Sequence, residues 1–105
     1  GGGPIGQAVA HHMKQVSDVC LIDKDPNSQC DANLLEALGR SNLVLGCTGN
    51  ISLPQKYHSY IKSGTVLASV SSSDREFDAV HLRKKGSYSL RCHSDINFGK
   101  GVLLN

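Results

Sequence analysis

The sequence predicts an α/β domain in three layers, with helices on both faces of one mainly parallel sheet. Three observations predict it. Continuous apolar runs at residues 19–22, 43–47 and 65–70 have the pattern of strands buried on both faces. Stretches with helical spacing alternate with them, so each crossover carries the chain back and the strands pair in parallel. The chain opens directly on a glycine loop that leads into a helix, with no strand in front. The expectation is therefore a fragment of a larger protein, truncated at the first strand of its sheet. One domain is the natural count for 105 residues, 39% of them hydrophobic.

The elements follow in order. Ile5, Val9, Met13 and Val16 recur close to helical spacing, and Gly3-Pro4 is a loop-to-helix junction with proline in the first turn. Val19-Cys20-Leu21-Ile22 reads as the first strand of the chain and ends in the turn-forming Asp23-Lys24-Asp25-Pro26-Asn27. Residues 32–38 predict a short helix with Leu34, Leu35 and Leu38 on one face and Gly39 as its stop. Leu43-Val44-Leu45-Gly46-Cys47 is the next strand, closed by Thr48-Gly49-Asn50. Ser52-Leu53-Pro54-Gln55 has capping-box spacing and predicts a helix that buries Tyr57, Tyr60 and Ile61.

Gly64 ends that helix, and residues 65–70 form the third strand. A further helix falls between Ser73 and Lys85, with Ser73 and Asp78 as rival caps. Tyr88, Leu90 and Cys92 alternate with polar neighbours, as in a half-buried strand. Gly99-Lys100-Gly101 then turns into Val102-Leu103-Leu104, which predicts a hairpin or an edge addition.

Composition excludes several classes. A net charge of +2 with scattered Lys and Arg and few aromatics gives no footprint for nucleic acid. The run Arg83-Lys84-Lys85 reads as a solvated helix end. No run approaches the ~20 apolar residues that span a bilayer, so no membrane partner is expected. The cysteines at 20, 30, 47 and 92 include no C-x-x-C pair, and three lie in apolar stretches. Reduced thiols and a cytoplasmic location are the expectation. His11-His12 has no acid or cysteine at metal-ligand spacing, so no metal site is expected.

Gly1-x-Gly3-x-x-Gly6 matches the dinucleotide fingerprint. One glycine serves a tight turn, one lets backbone approach a pyrophosphate, and one packs helix on strand. Unpaired amides at the helix start and the helix dipole attract phosphate. Asp23 stands 20 residues after Gly3, at the end of the next apolar run. A carboxylate there accepts bonds from the adenosine ribose hydroxyls and repels a 2′-phosphate, which favours NAD over NADP. A Rossmann-type domain is therefore expected. Its ligand would sit at the C-terminal strand ends, among Asp23, Thr48-Gly49-Asn50 and Val70-Ser71-Ser72.

These residues resemble, in order, the NAD-binding domain of S-adenosylhomocysteine hydrolases. The likeness includes the glycine loop, Asp23-Lys24-Asp25-Pro26, Thr48-Gly49-Asn50 and the Gly-Lys-Gly turn before Val102. Its most discriminating part is the spacing Asp74-x-Glu76-x-Asp78. The resemblance implies that Gly1, Gly3, Pro4, Ile5 and Gly6 line the pyrophosphate and that Asp23 holds the ribose. It also implies that Thr48, Gly49, Asn50, Val70, Ser71 and Ser72 lie along the cofactor towards the nicotinamide. The implied reaction is reversible hydrolysis of S-adenosylhomocysteine through a tightly held NAD, with the substrate-handling residues in a separate domain.

The family's glycine and histidine are Ser71 and Ser72 here, and the stretch between Pro26 and Leu43 is shorter than in the family. Two alternatives remain. A D-2-hydroxy-acid dehydrogenase domain shares the sheet and the loop, and a non-catalytic regulatory module would fit the two serine replacements. A sheet lacking the strand before Gly1 leaves bare edges, so self-association is also expected.

Overall fold

A computed structural model describes residues 1–23, 34–70, 76–78, 82, 87–88, 96–97 and 101–104. Its centre is a five-stranded sheet in the order β1-β2-β5-β4-β3. β1 is Leu43–Gly46, β2 Thr65–Ser69, β3 Ser87–Tyr88, β4 Ile96–Asn97 and β5 Gly101–Leu104. β1, β2 and β5 are parallel, in register Leu43 to Val66 and Val66 to Val102. β4 runs antiparallel to β5, and β3 antiparallel to β4. The chain is thus α/β, with a three-stranded parallel core and a short antiparallel extension.

β5 corrects one expectation. It does form a hairpin with β4, but it lies inside the sheet between β2 and β4. Its Leu103 is 6% exposed and packs into the core, whereas Leu104 is 46% exposed.

The segment expected as a strand at residues 19–22 is a second correction, because it is not among the strands of the described residues. It is only half buried. Here the glycine loop meets the end of the segment: the Gly1 nitrogen donates to Ile22 O at 2.8 Å.

The helix α1 (Pro4–Met13) starts as expected, with Gly3 extended at the N-cap and proline in the first turn. Its buried residues are Gly6 and Ala10, not the larger apolar ones. Ile5 is 59% exposed, and Val16 lies beyond the helix at 80%. Close docking through the small residues turns the Ile5-Val9-Met13 side outward, where with Pro4, Ala8 and His12 it lines an open apolar hollow.

The helix α2 (Leu34–Arg40) runs through Gly39 instead of stopping there. A helical glycine costs about 1 kcal/mol relative to alanine, and bonds at the helix end, two local and one tertiary, offset it. Ser41 N and Oγ both bond Ala37 O, at 3.0 and 2.6 Å, and Lys62 N reaches Leu38 O. Ala37 and Leu38 are the buried residues. The expected start at residue 32 lies outside the described residues.

The third helix is a 3-10 turn, Gln55–Tyr60, not an α-helix opened by Ser52. Residues three apart eclipse in such a turn, so His58 and Ile61 share the inward side. They are 7% and 2% exposed, while Tyr60 is 50% exposed. The amide of Gln55 donates to Asp78 Oδ2 at 3.3 Å, so a distant carboxylate replaces the local cap. Asp78 has φ +53°, a left-handed conformation that aspartate tolerates better than most residues. Leu82 is helical, with its amide directed at Asp78 O. Most of that predicted helix, including Ser73, lies outside the described residues, as does the alternation from 89 to 93. The core unites Leu38, Leu53, Ile61, Leu67, Phe77, Leu82 and Leu103.

Candidate functional site

The three glycines of the loop differ in what surrounds them. At Gly1 a Cβ would meet Thr48 Cγ2 at 2.9 Å and the Cys47 carbonyl at 3.2 Å. At Gly6 it would collide with the Gly1 carbonyl. Both positions are closed to any side chain. At Gly3 a Cβ would meet nothing within 4 Å. The backbone of Gly3 is therefore open to whatever approaches the start of α1.

Helix α1 has no side-chain cap, and its first helical bond runs from Gln7 N to Gly3 O at 2.9 Å. Pro4 has no amide, and the amides of Ile5 and Gly6 precede that bond. A helix start of this kind carries partial positive charge.

Asp23 sits against this start. Its Oδ2 accepts from the Gly2 amide at 2.5 Å. The carboxylate thus faces the glycine loop. Gly1 lies between two segment ends, bonded to Ile22 on one side and packed on Cys47 and Thr48 on the other.

The loop after β1 is organised from below by Glu76, which is 1% exposed. Its Oε1 accepts from Thr48 N at 3.1 Å, Thr48 Oγ1 at 2.8 Å and Ser52 Oγ at 2.7 Å. Its Oε2 accepts from Gly49 N at 2.9 Å and Thr48 N at 3.3 Å. The Glu76 carbonyl takes Ser52 N and Leu53 N, both at 3.0 Å. Hydrogen bonds to a charged group contribute about 1.5–3 kcal/mol each, and together they satisfy a carboxylate removed from water. Gly46 leaves room for it, since a Cβ there would strike Glu76 Cγ.

These bonds decide what the loop presents. The Thr48 hydroxyl faces Glu76 and the Asn50 carbonyl at 2.9 Å, and accepts from Asn50 N at 3.0 Å. Gly49 takes φ +72°, which glycine adopts without strain. The Thr48 amide and hydroxyl and the Gly49 amide are therefore engaged with Glu76 and Asn50. Asn50 is exposed, and among the described residues its carboxamide has no hydrogen-bond partner. Val70 follows β2, with its amide on Gly46 O at 2.8 Å, and is 49% exposed. Ser71 and Ser72 lie outside the described residues.

The structure brings Gly1, Gly2, Gly6, Asp23, Cys47 and Thr48 together, with Pro4 and Ile5 in the adjoining first turn of α1. Sequence reasoning gave Glu76 a diagnostic spacing but no task. The available signal was an acid beside Phe77 in a segment that follows a buried strand. The Cys47 thiol has its pKa raised, first by burial, with the Glu76 charge adding and the Gly1 amino group opposing.

No family model matches the chain. It is 36% identical over 102 residues to uncharacterized proteins of two Mycobacterium tuberculosis strains, CDC 1551 / Oshkosh and ATCC 25618 / H37Rv. Those alignments cover 96% of this chain and 20% of each relative. The chain thus spans about 20% of the length of the curated relatives it matches. Among the described residues, no helix is long and apolar enough to cross a membrane.

Proposed function

We propose that this chain is a Rossmann-type NAD-binding module of a larger protein, in which α1 receives the diphosphate and Asp23 the adenosine ribose. The observation that carries the reading is the bond from Gly2 N to Asp23 Oδ2. It supports a carboxylate held beside an uncapped helix start, which is the pairing of charges a dinucleotide requires. The open space at Gly3 fits a diphosphate approaching bare backbone. A bound NAD would supply hydride acceptance, while this chain would bind and orient it.

The fuller reading is the cofactor domain of an adenosylhomocysteinase-like hydrolase. It is supported by the ordered likeness of the glycine loop, Asp23, Thr48-Gly49-Asn50 and Asp74-x-Glu76-x-Asp78. The substrate domain would be supplied by the rest of the parent polypeptide, so the chain alone is not catalytic. A cytoplasmic setting is supported by the free thiols of Cys20 and Cys47. Self-association is supported by the exposed side of α1 and by the outer edge of β1, which no described strand covers.

Titration with NAD, NADP and ADP, read by calorimetry and by melting temperature, tests the binding claim. NAD should bind and raise the melting temperature, and NADP should bind more weakly. No response to any nucleotide would overturn the assignment. S-adenosylhomocysteine turnover by the full-length protein separates hydrolase from the 2-hydroxy-acid dehydrogenase and non-catalytic alternatives.

A further inference from the structure

We propose that Glu76 is the positioning residue for the half of the ligand distant from Asp23, and that it acts by fixing the β1-end loop so that Asn50 faces the bound molecule. The inference rests on the dinucleotide reading above and assigns the two ends of that ligand to different parts of the chain. Gly1 separates the two parts: Asp23 lies at the Ile22 side and Thr48 at the other. A molecule anchored by its diphosphate at α1 then has one sugar at Asp23 and its other sugar and base beside the Thr48-Gly49-Asn50 loop.

That loop has little freedom of its own to recognise anything. Glu76 takes the amides of Thr48 and Gly49 and the Thr48 hydroxyl, and it also ties down Ser52 beyond the loop. What is left outward is the Asn50 carboxamide, a donor and an acceptor on one planar group. It suits a partner of the same kind, such as a carboxamide or a sugar hydroxyl pair. Glu76 is 1% exposed and its carboxylate is bonded to the loop, so it acts through the loop.

Glu76→Gln is nearly isosteric but replaces one acceptor oxygen with an NH2 group. That group must face Gly49 N–H, or else Thr48 and Ser52, and donor then meets donor. The loop is expected to shift while the α1–Asp23 half stays in place.

The test measures NAD and ADP binding to the full chain, wild type and variants, by calorimetry. In Glu76→Gln, NAD affinity should fall by about tenfold, which is about 1.4 kcal/mol, while ADP affinity is retained. Asn50→Ala should reproduce that selective loss without lowering the melting temperature, and Ser52→Ala should give a smaller loss in the same direction. If Glu76→Gln does not fold, the Asn50→Ala and Ser52→Ala pair decides the matter. Equal losses for NAD and ADP, or an unchanged ratio between them, overturn the role of Glu76 while leaving the binding module intact. Wild-type protein that binds neither nucleotide overturns both proposals together.

Discussion

The amide of Gly2 and the carboxylate of Asp23, 21 residues apart in sequence, meet at 2.5 Å. The bond joins the loop before α1 to the end of the segment that follows it. Its effect is to hold a negative charge beside a helix start that has no side-chain cap of its own. Neither residue has a local reason to be there. The relation is made by the path of the chain through α1 and back.

Asp23→Ala should remove the proposed ribose acceptor and leave the Gly2 amide without this partner. Loss of a bond to a charged group amounts to about 1.5–3 kcal/mol, so NAD affinity should drop by tenfold or more on the usual scale of about 1.4 kcal/mol per decade. The preference for NAD over NADP should shrink as well, because the charge that repels a 2′-phosphate is gone. Competition binding with the two nucleotides measures both effects. An unchanged preference would show that Asp23 does not face the ribose.

Gly6→Ala and Gly3→Ala should behave in opposite ways. At Gly6 the new methyl overlaps the Gly1 carbonyl, so α1 must move off the loop. Overpacking of this kind typically costs about 1–3 kcal/mol, readable in chemical denaturation. At Gly3 the methyl meets nothing, and the stability change should stay within about 0.5 kcal/mol. Nucleotide binding should nonetheless weaken in Gly3→Ala, because the methyl stands where a diphosphate would approach.

His58 ties two carbonyls together in the core. Its Nε2 lies 3.2 Å from Leu53 O and 3.0 Å from Phe77 O, while its Nδ1 is buried without a partner among the described residues. Nε2 must therefore carry the proton, since both neighbours are acceptors. His58→Leu should destabilise the chain by about 1–3 kcal/mol, the desolvation penalty of acceptors left unpaired. A denaturation midpoint equal to wild type would show that water replaces the imidazole.

Cys47 gives the stability a pH dependence on the alkaline side. Burial raises its pKa in the folded chain above the ordinary 9.0. In the window above that value, unfolded molecules release the thiol proton before folded ones do. The contribution of this thiol to stability is therefore full below the ordinary value and is lost as pH rises through the raised one. Cys47→Ala should flatten the decline, seen in melting temperatures taken across alkaline buffers. The same burial predicts slow alkylation of Cys47 in the native protein, measurable by mass spectrometry.

Where sequence and structure agree, the cause is local. Apolar runs at 43–46 and 65–69 produced parallel strands, and Pro4 after Gly3 opened a helix. The glycine loop and Asp23 were legible as a pair because their spacing reflects one helix and one return path. Disagreement arose wherever a distant group supplied what the local sequence lacked. Ser52 has capping-box spacing, yet its hydroxyl goes to Glu76 and the turn at Gln55 is capped by Asp78. Gly39 reads as a stop, yet α2 runs past it with the Lys62 amide on Leu38 O.

By itself the sequence determined an α/β chain, the strands at 43–46 and 65–69 and the first helix within a few residues, and a glycine loop with an acid at matching distance. Local propensity and periodicity are enough for that, since each depends on neighbours a turn or two away. Only the tertiary structure decided that β5 enters the middle of the sheet, that residues 19–22 are not among the strands of the described residues, and that Glu76 governs the Thr48 loop. Those outcomes depend on burial and on hydrogen bonds between groups 20 or more residues apart, as the 28-residue separation of Thr48 and Glu76 shows. No local pattern encodes them.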